Sequence, residues 1–160
     1  MASRNAGSGV AQAGMIRSCP ECGAHYASET DTCETRFHAL LALDHSRQEP
    51  WGSRHGQAFA AYALQHPSAF PTSLDSAWSA LYRIYCFGEL AADVFASVRE
   101  GRAMNANSRV PARRSQPVAQ PRVTIIDLGD FAASTYATQL DAWCRATLVA
   151  WGAGIDAPAP

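Results

Sequence analysis

Lysine is absent from this sequence, and so are long apolar runs and any sizeable net charge. All 13 basic residues are arginine, which we attribute to GC-rich coding and not to function. Together with 14 acidic residues they give a formal net charge of -1, so the composition gives no general reason to expect nucleic acid or an acidic membrane as a partner. No stretch reaches the roughly 18 apolar residues of a membrane span, and the N-terminus lacks the apolar core of a signal peptide. We therefore expect a cytoplasmic protein with no membrane partner.

The chain does contain enough apolar sequence for one globular domain. Hydrophobic residues make up 48% of its 160 positions, which argues against a disordered protein. We expect residues 17–151 to form a single helical domain between disordered tails at 1–16 and 152–160. Within it, residues 101–122 hold five arginines, three prolines and no acid, and we expect a flexible loop there.

The apolar pattern is helical along most of the chain. Apolar side chains recur three or four residues apart between breaks at Pro50, Pro67 and Gly88. The predicted fold is therefore mainly α, a helical bundle with an N-terminal cysteine-rich knuckle. The short β-branched run at 123–127 is expected to be extended. The expected helices cover about 33–46, 53–66, 72 to the break at Gly88, 89–100 and 130–151.

Local signals set the expected starts of these helices. Asp31 or Thr32 is a good N-cap for the first helix. Thr72 and Asp75 have the spacing of a capping box at the third helix. Asp130 is the expected cap of the last helix.

The strongest chemical signal is the run Cys19-Pro-Glu-Cys22-Gly23. Two thiolates at this spacing can hold one tetrahedral ion, and the glycine lets the backbone turn so that its amides point at the sulfurs. Cys33 follows and adds a third thiolate. A redox pair is the alternative, but a redox CxxC normally lies at a helix start after a strand, and nothing before Cys19 reads as a strand. Zinc is the expected metal, since thiolates prefer it to magnesium or calcium.

A structural zinc site usually has four ligands, and helix geometry indicates the fourth. If the first two helices form an antiparallel hairpin, Cys33 and His66 lie at the same height because they are almost equally far from the turn. His55 lies eleven residues before His66 on the same helix, about 16 Å away, so the two cannot hold one ion. His25 and His38 are rivals for the fourth position. The predicted metal ligands are Cys19, Cys22, Cys33 and His66.

A second, weaker group of polar residues is expected near the turn of this hairpin. Asp44 can orient a neighbouring imidazole, His45 or His55, as carboxylates do for catalytic or ligand histidines. Glu49 and Trp51 lie in the adjoining loop. The alternative is that these side chains cap helix ends and face solvent, or form one buried hydrogen bond.

Other reactive side chains have simpler explanations. Tyr62 and His66 are four apart and share a helix face, so Tyr62 either hydrogen-bonds across the core or supports the metal site. Cys86 and Cys144 are expected to be small hydrophobic residues in the core and not ligands. The tryptophan and tyrosine stripes of the later helices are expected to be core as well.

The sequence resembles a bacterial family of small proteins classed as a domain of unknown function. It does so in three runs, CPECGA, CETRFHALLALD and WGSRHGQAFAAYALQHP. The shared pattern is the CxxCG knuckle, a third cysteine that opens a helix, and a helix written H-x6-Y-x2-Q-H-P, which covers about residues 19–67 well and the rest loosely. The resemblance implies kinship without an activity, and it adds His55 and Gln65 to the site candidates. The helix pattern is carried by His55, Tyr62, Gln65, His66 and Pro67.

Two classes of function follow from these residues. In the first, four protein ligands close the metal site, and the helical protein binds a protein partner or a small molecule. In the second, three protein ligands and a water make a metal-dependent enzyme of the hydrolase or lyase type. Its candidate catalytic residues are His55, Tyr62, Gln65 and Asp44. Three thiolates in a closed site weaken the Lewis acidity of the metal, which favours the first class.

A nucleic-acid-binding regulator is a weaker third interpretation. The arginines of residues 101–122 come without an aromatic platform for bases, so nucleic acid is not the expected partner. The sequence leaves open whether the protein forms a homo-oligomer.

Overall fold

A computed structural model of the chain describes residues 17–26, 28, 30–100 and 109–155. The predicted tail at 1–16, residues 156–160 of the second tail and residues 101–108 of the predicted loop lie outside the described residues. No helix in the described part of the chain is long and apolar enough to cross a membrane.

The described residues form a helical bundle with a two-stranded sheet at its N-terminal end. The strands are β1 (Arg17–Ser18) and β2 (His25–Tyr26). The helices are α1 (Cys33–His45), α2 (His55–Gln65), α3 (Leu74–Phe87), α4 (Ala91–Arg99) and α5 (Ala133–Ala150). Two short 3-10 helices cover Gly52–Arg54 and Ile125–Leu128. The prediction of a mainly α fold with a cysteine-rich N-terminal knuckle is confirmed.

The knuckle is a small antiparallel hairpin whose turn carries the CxxC pair. Arg17 of β1 pairs with Tyr26 of β2. The expectation that no strand precedes Cys19 is therefore wrong, because a strand of two residues is too short to leave an alternating pattern. No helix starts at the CxxC turn, and the next helix begins only at Cys33. The arrangement thus differs from a redox CxxC at a helix start.

Helix α1 starts directly after Thr32, one of the two predicted caps. The Thr35 amide donates to the Thr32 hydroxyl, and the Thr32 amide donates to the Thr35 hydroxyl. This capping box satisfies an N–H group that the first turn of the helix leaves free, and it orders Thr32, the residue before the helix. Cys33 is thereby held as the first residue of α1, next to the knuckle.

Helices α1 and α2 run antiparallel, as the hairpin argument assumes. Three contacts mark their register: Asp44 with His55, Phe37 with Tyr62, and Cys33 with His66. The rings of the middle pair stack with their centroids 3.8 Å apart. The two residue numbers of each pair have the same sum, as an antiparallel pair in constant register requires. The polar turn end and the cysteine end of the hairpin are therefore separate places in the molecule.

Helix α2 lies at the centre of the bundle. Eight of its 11 residues are buried, and it packs against α3 and α5. Half of these buried residues are alanines, and α5 supplies large buried side chains, Tyr136 and Trp143, to the same core. The Trp151 indole N–H donates to the Leu64 carbonyl at 2.9 Å. This bond fixes the C-terminal end of α2, which carries His66.

Two predicted helix caps are wrong. Helix α3 begins after Ser73 and not after Thr72, it has no side-chain cap, and Asp75 forms an ion pair with Arg113 at 2.9 Å. Helix α5 begins only at Ala133, also without a side-chain cap. Asp130 instead accepts from the Ala132 amide two residues further on, a local turn that competes with helix capping.

The expectation of an extended segment at 123–127 is also wrong. A 3-10 helix occupies Ile125–Leu128, and both the amide and the hydroxyl of Thr124 donate to the Asp127 carboxylate. These two bonds outweigh the weak β propensity of so short a run. The turn buries Ile125 and Leu128 in the core.

Residues 109–122 form no helix or strand but are attached to the helices by specific contacts. The Trp78 indole N–H donates to the Pro111 carbonyl at 2.8 Å. The Arg113 guanidinium lies 5.1 Å from the centre of the Trp151 ring, close enough for a cation–π contact. The composition of this segment did not predict these contacts.

Candidate metal centre

Three thiols and one imidazole meet where the knuckle, the start of α1 and the end of α2 come together. The ligand atoms of Cys19, Cys22, Cys33 and His66 all lie within 4.8 Å of one another, and all four residues are buried. The sulfurs of Cys22 and Cys33 are 3.6 Å apart, and none of the cysteines forms a disulfide. Zinc–sulfur bonds of about 2.3 Å in a tetrahedron place two sulfurs roughly 3.8 Å apart. The cluster therefore has the dimensions of a four-ligand metal site.

Backbone hydrogen bonds close the turn of the knuckle, and other amides of the same turn point at the sulfurs. The Cys19 amide donates to the Ala24 carbonyl at 2.8 Å, and the Gly23 amide donates to the Cys19 carbonyl at 2.9 Å. Gly23 has a φ of 75°, a left-handed conformation that side chains other than glycine's rarely adopt. Hydrogen bonds from the Ala24 amide to Cys22 and from the Cys22 amide to Cys19 favour the thiolate forms.

His66 is oriented as metal-bound histidines usually are. Its Nδ1 lies 3.1 Å from the Tyr62 carbonyl, which can only accept, so the proton is on Nδ1 and Nε2 has a free lone pair. Nε2 is buried and has no hydrogen-bond partner in the described structure. A buried polar atom without a partner costs about 1–3 kcal/mol, and a metal ion at the cluster would remove that cost. The Tyr62 ring stacks on the imidazole at 4.1 Å and holds its plane.

The three thiols affect one another's ionisation. The hydrogen bond with Cys33 lowers the pKa of Cys22 to about 4, and the same contact raises the pKa of Cys33. Burial raises the pKa of Cys19. Thiolates this close repel one another unless a cation lies between them, and a divalent ion supplies that charge. The donor set therefore fits a thiolate-preferring metal.

The two rival histidines lie outside this group. His25 is exposed on β2, and its Nδ1 lies 2.8 Å from the Ser18 hydroxyl. His38 is exposed on α1 and lines a cavity of about 510 Å³ that opens beside the cluster. Tyr62 lines the same cavity, and burial raises its pKa away from neutrality. Among the histidines, only His66 shares the group with the cysteines.

The polar residues at the turn end of the hairpin form a separate pair. The His55 Nδ1 lies 3.0 Å from the Asp44 carboxylate, whose side chain is only 1% exposed. This hydrogen bond raises the pKa of His55. The ring of His45 lies 6.1 Å from that of His55, and Glu49 accepts from Ser53 instead of joining them.

The catalytic candidates therefore do not form one site. Tyr62 lies two helical turns beyond His55, a rise of about 10 Å along α2. Gln65 belongs to the core, where its amide N–H groups donate to the Val123 carbonyl and the Thr147 hydroxyl, both at 2.9 Å. Asp44 and His55 are the two candidates that the structure brings together.

One supporting residue was missed by the sequence reasoning. The Glu21 carboxylate accepts from the Ser68 amide at 2.9 Å and so fastens the knuckle to the chain just after His66. A glutamate between the two cysteines carries no motif that predicts this contact. Its effect is to hold the cysteine turn and the histidine in one place.

Residues 17–152 match the model of a family whose description reads "Family of unknown function (DUF5946)". The match extends well beyond the residues 19–67 in which the motif resemblance is strongest. Comparisons with curated proteins and with solved structures found no match.

Proposed function

Because the chain belongs to DUF5946, a family of unknown function, we propose its role from the geometry of the site. In this proposal, one zinc ion bound by Cys19, Cys22, Cys33 and His66 stabilises the fold, and the helical bundle binds a small molecule or a protein partner. The observation that carries the proposal is the buried group of four ligand atoms within 4.8 Å of one another.

Two features of the donor set support zinc in a structural role. Three sulfurs and one imidazole nitrogen are a common tetrahedral set for zinc, and four protein ligands leave no position for water. The ligands come from the hairpin turn, the start of α1 and the end of α2. An ion that joins these segments adds its binding energy to folding.

A metal-dependent enzyme of the hydrolase or lyase type is the second candidate, and the cavity of about 510 Å³ beside the cluster favours it. This function needs a water in place of one protein ligand. The acid–base groups support it poorly. Burial raises the pKa of Tyr62, and His55 lies at the other end of the hairpin from the cluster.

Cobalt substitution distinguishes the two functions. A closed site gives the intense visible absorption of tetrahedral cobalt with charge-transfer bands from three thiolates, and small anions leave the spectrum unchanged. His66→Ala should weaken the visible bands, and His38→Ala should not. A weak five-coordinate spectrum that azide alters would contradict the closed site and support the enzyme.

We further propose that the partner is neither a membrane nor a nucleic acid and that the protein works in the cytoplasm. Free thiols at all five cysteines fit a reducing compartment. Within the arginine-rich segment, Arg113 is engaged by Asp75 and Trp151 and is not available for phosphates. Salt-dependent binding of the purified protein to DNA or RNA would contradict this part of the proposal.

A further inference from the structure

A second cavity lies away from the cysteine cluster, between α2, α3 and α4. Its volume is about 620 Å³, within the range of sites that take small molecules. His55 and Phe59 reach it from α2, Ala80 from α3, and Phe95 and Arg99 from α4. It is the place where the Asp44–His55 pair meets an apolar space large enough for a ligand.

Phe95 of α4 packs closely against α2 and forms part of the apolar wall of this cavity. A Cβ atom added at Gly56 would lie 2.7 Å from the Phe95 ring, so only a glycine lets the ring lie on the helix at this position. The remaining lining on α3 is mostly alanine, which leaves the space between the helices unfilled. The result is a slot lined by two aromatic side chains and by small residues of all three helices.

The charged groups that line the cavity are all cationic or able to become so. His55 and Arg99 are in the lining, and no carboxylate is among the lining residues of the described chain. Asp44 binds Nδ1 of His55 from outside the cavity, so Nε2 is the ring atom left for a ligand. The Asp44 contact raises the pKa of His55 and so favours the form in which Nε2 carries a proton. Arg99 forms no ion pair with another described residue.

We propose that this cavity binds a small organic acid, a carboxylate with an unbranched aliphatic or aromatic body. The body packs between Phe59, Phe95 and the alanines, and the carboxylate accepts hydrogen bonds from His55 and Arg99. A guanidinium matches a carboxylate with two parallel hydrogen bonds. The two hydroxyls in the lining already donate elsewhere, Ser53 to the Glu49 carboxylate and Ser76 to the Ser73 carbonyl, so His55 and Arg99 supply the donors for the carboxylate. The inference rests on the proposed binding role and names its ligand class.

The test is calorimetric titration of the full-length protein, purified without added metal, with decanoate, decanol and decyltrimethylammonium. We expect decanoate to bind, decanol to bind about tenfold more weakly because it has no charged carboxylate, and the cation to show no binding. A tenfold change in affinity equals about 1.4 kcal/mol. Arg99→Gln and His55→Gln should each weaken decanoate binding about five- to tenfold and leave decanol binding unchanged, because they remove charge-assisted hydrogen bonds.

A cavity-filling variant keeps the proposal testable without disturbing folding. Ala92 lines the cavity and is exposed at its edge, so Ala92→Phe should abolish decanoate binding. Ala42→Phe is the matched control, because Ala42 is exposed on α1 and lies outside the lining. Equal affinities for decanoate and decanol, or full affinity in Ala92→Phe, would overturn the proposal.

Zinc content, measured in the same samples, separates this inference from the proposed metal site. Folded protein that contains zinc but does not bind decanoate rejects the organic-acid site and leaves the zinc proposal intact. Protein that binds decanoate as expected without containing zinc supports the organic-acid site and rejects the zinc proposal.

Discussion

At the scale of single residues, the unpartnered Nε2 of His66 distinguishes a metal site from a group of buried thiols. Its other ring nitrogen is held by the Tyr62 carbonyl, and its plane is held by the Tyr62 ring. The spacing from Cys33 in an antiparallel hairpin predicts this location. The orientation of the ring depends on contacts that only the folded chain provides.

The first prediction compares three histidines. His66→Ala should lose most of its metal to a chelator under conditions in which the wild type retains it, because a three-ligand site binds more weakly. His55→Ala and His38→Ala, which alter histidines outside the cluster, should retain it. Loss of metal from His55→Ala together with retention in His66→Ala would contradict the assignment.

The second prediction concerns pH and the Asp44–His55 pair. The pKa of His55 is raised above its usual 6.5 in the folded protein, so the pair adds stability below that pH and loses it as pH rises through the raised pKa. Asp44 and the ring of His45 lie beside it, and Arg99 lines the same cavity. The melting temperature of the wild type should exceed that of His55→Gln by more at about pH 6 than at about pH 9.

His38→Gln serves as the control for this measurement, because His38 is exposed on α1 and lies outside the Asp44–His55 pair. A difference between wild type and His55→Gln that stays constant with pH would show that the hydrogen bond does not favour protonated His55.

At the scale of elements, the start of α1 is a structural part of the site. The capping box holds Cys33 at the first helical position, and the antiparallel register then brings His66 to it. Sequence periodicity predicts these helices because each buries one apolar face. Sequence patterns do not predict β1, the 3-10 helix at Ile125–Leu128 or the starts of α3 and α5. A few local contacts decide the conformation there.

The third prediction tests the capping box. Thr32→Ala removes the hydroxyl that accepts from the Thr35 amide and should destabilise the protein by about 1 kcal/mol. For a chain of this size we expect the melting temperature to fall by roughly 2–4 °C. Ser28→Ala, in the exposed loop before the helix, should melt as the wild type does. Equal melting of Thr32→Ala and wild type would show that the cap contributes nothing.

At the scale of the whole molecule, the four candidate ligands come from the knuckle, the start of α1 and the end of α2. The knuckle has two strands of two residues each, too few to be stable by themselves. The sequence motif predicts the cysteines of this centre. It does not predict the cavity between α2, α3 and α4, because that space depends on how Phe95 packs against Gly56.

The fourth prediction compares two cysteines. Cys22→Ser should lower the melting temperature by more than about 10 °C, because the binding energy of a structural zinc is also folding energy. Cys86→Ser changes a half-buried cysteine outside the cluster and should have a small effect. A Cys22→Ser protein that melts within about two degrees of the wild type would contradict a structural role.

The measurement that tests the central claim most directly is the metal content of the wild-type protein purified without added metal. Elemental analysis should find about one zinc per chain, and thiol titration should find the three cluster cysteines protected until a chelator is added. Less than about 0.2 metal per chain, with the three cluster thiols reactive in the folded protein, would contradict the claim that these residues form a zinc site.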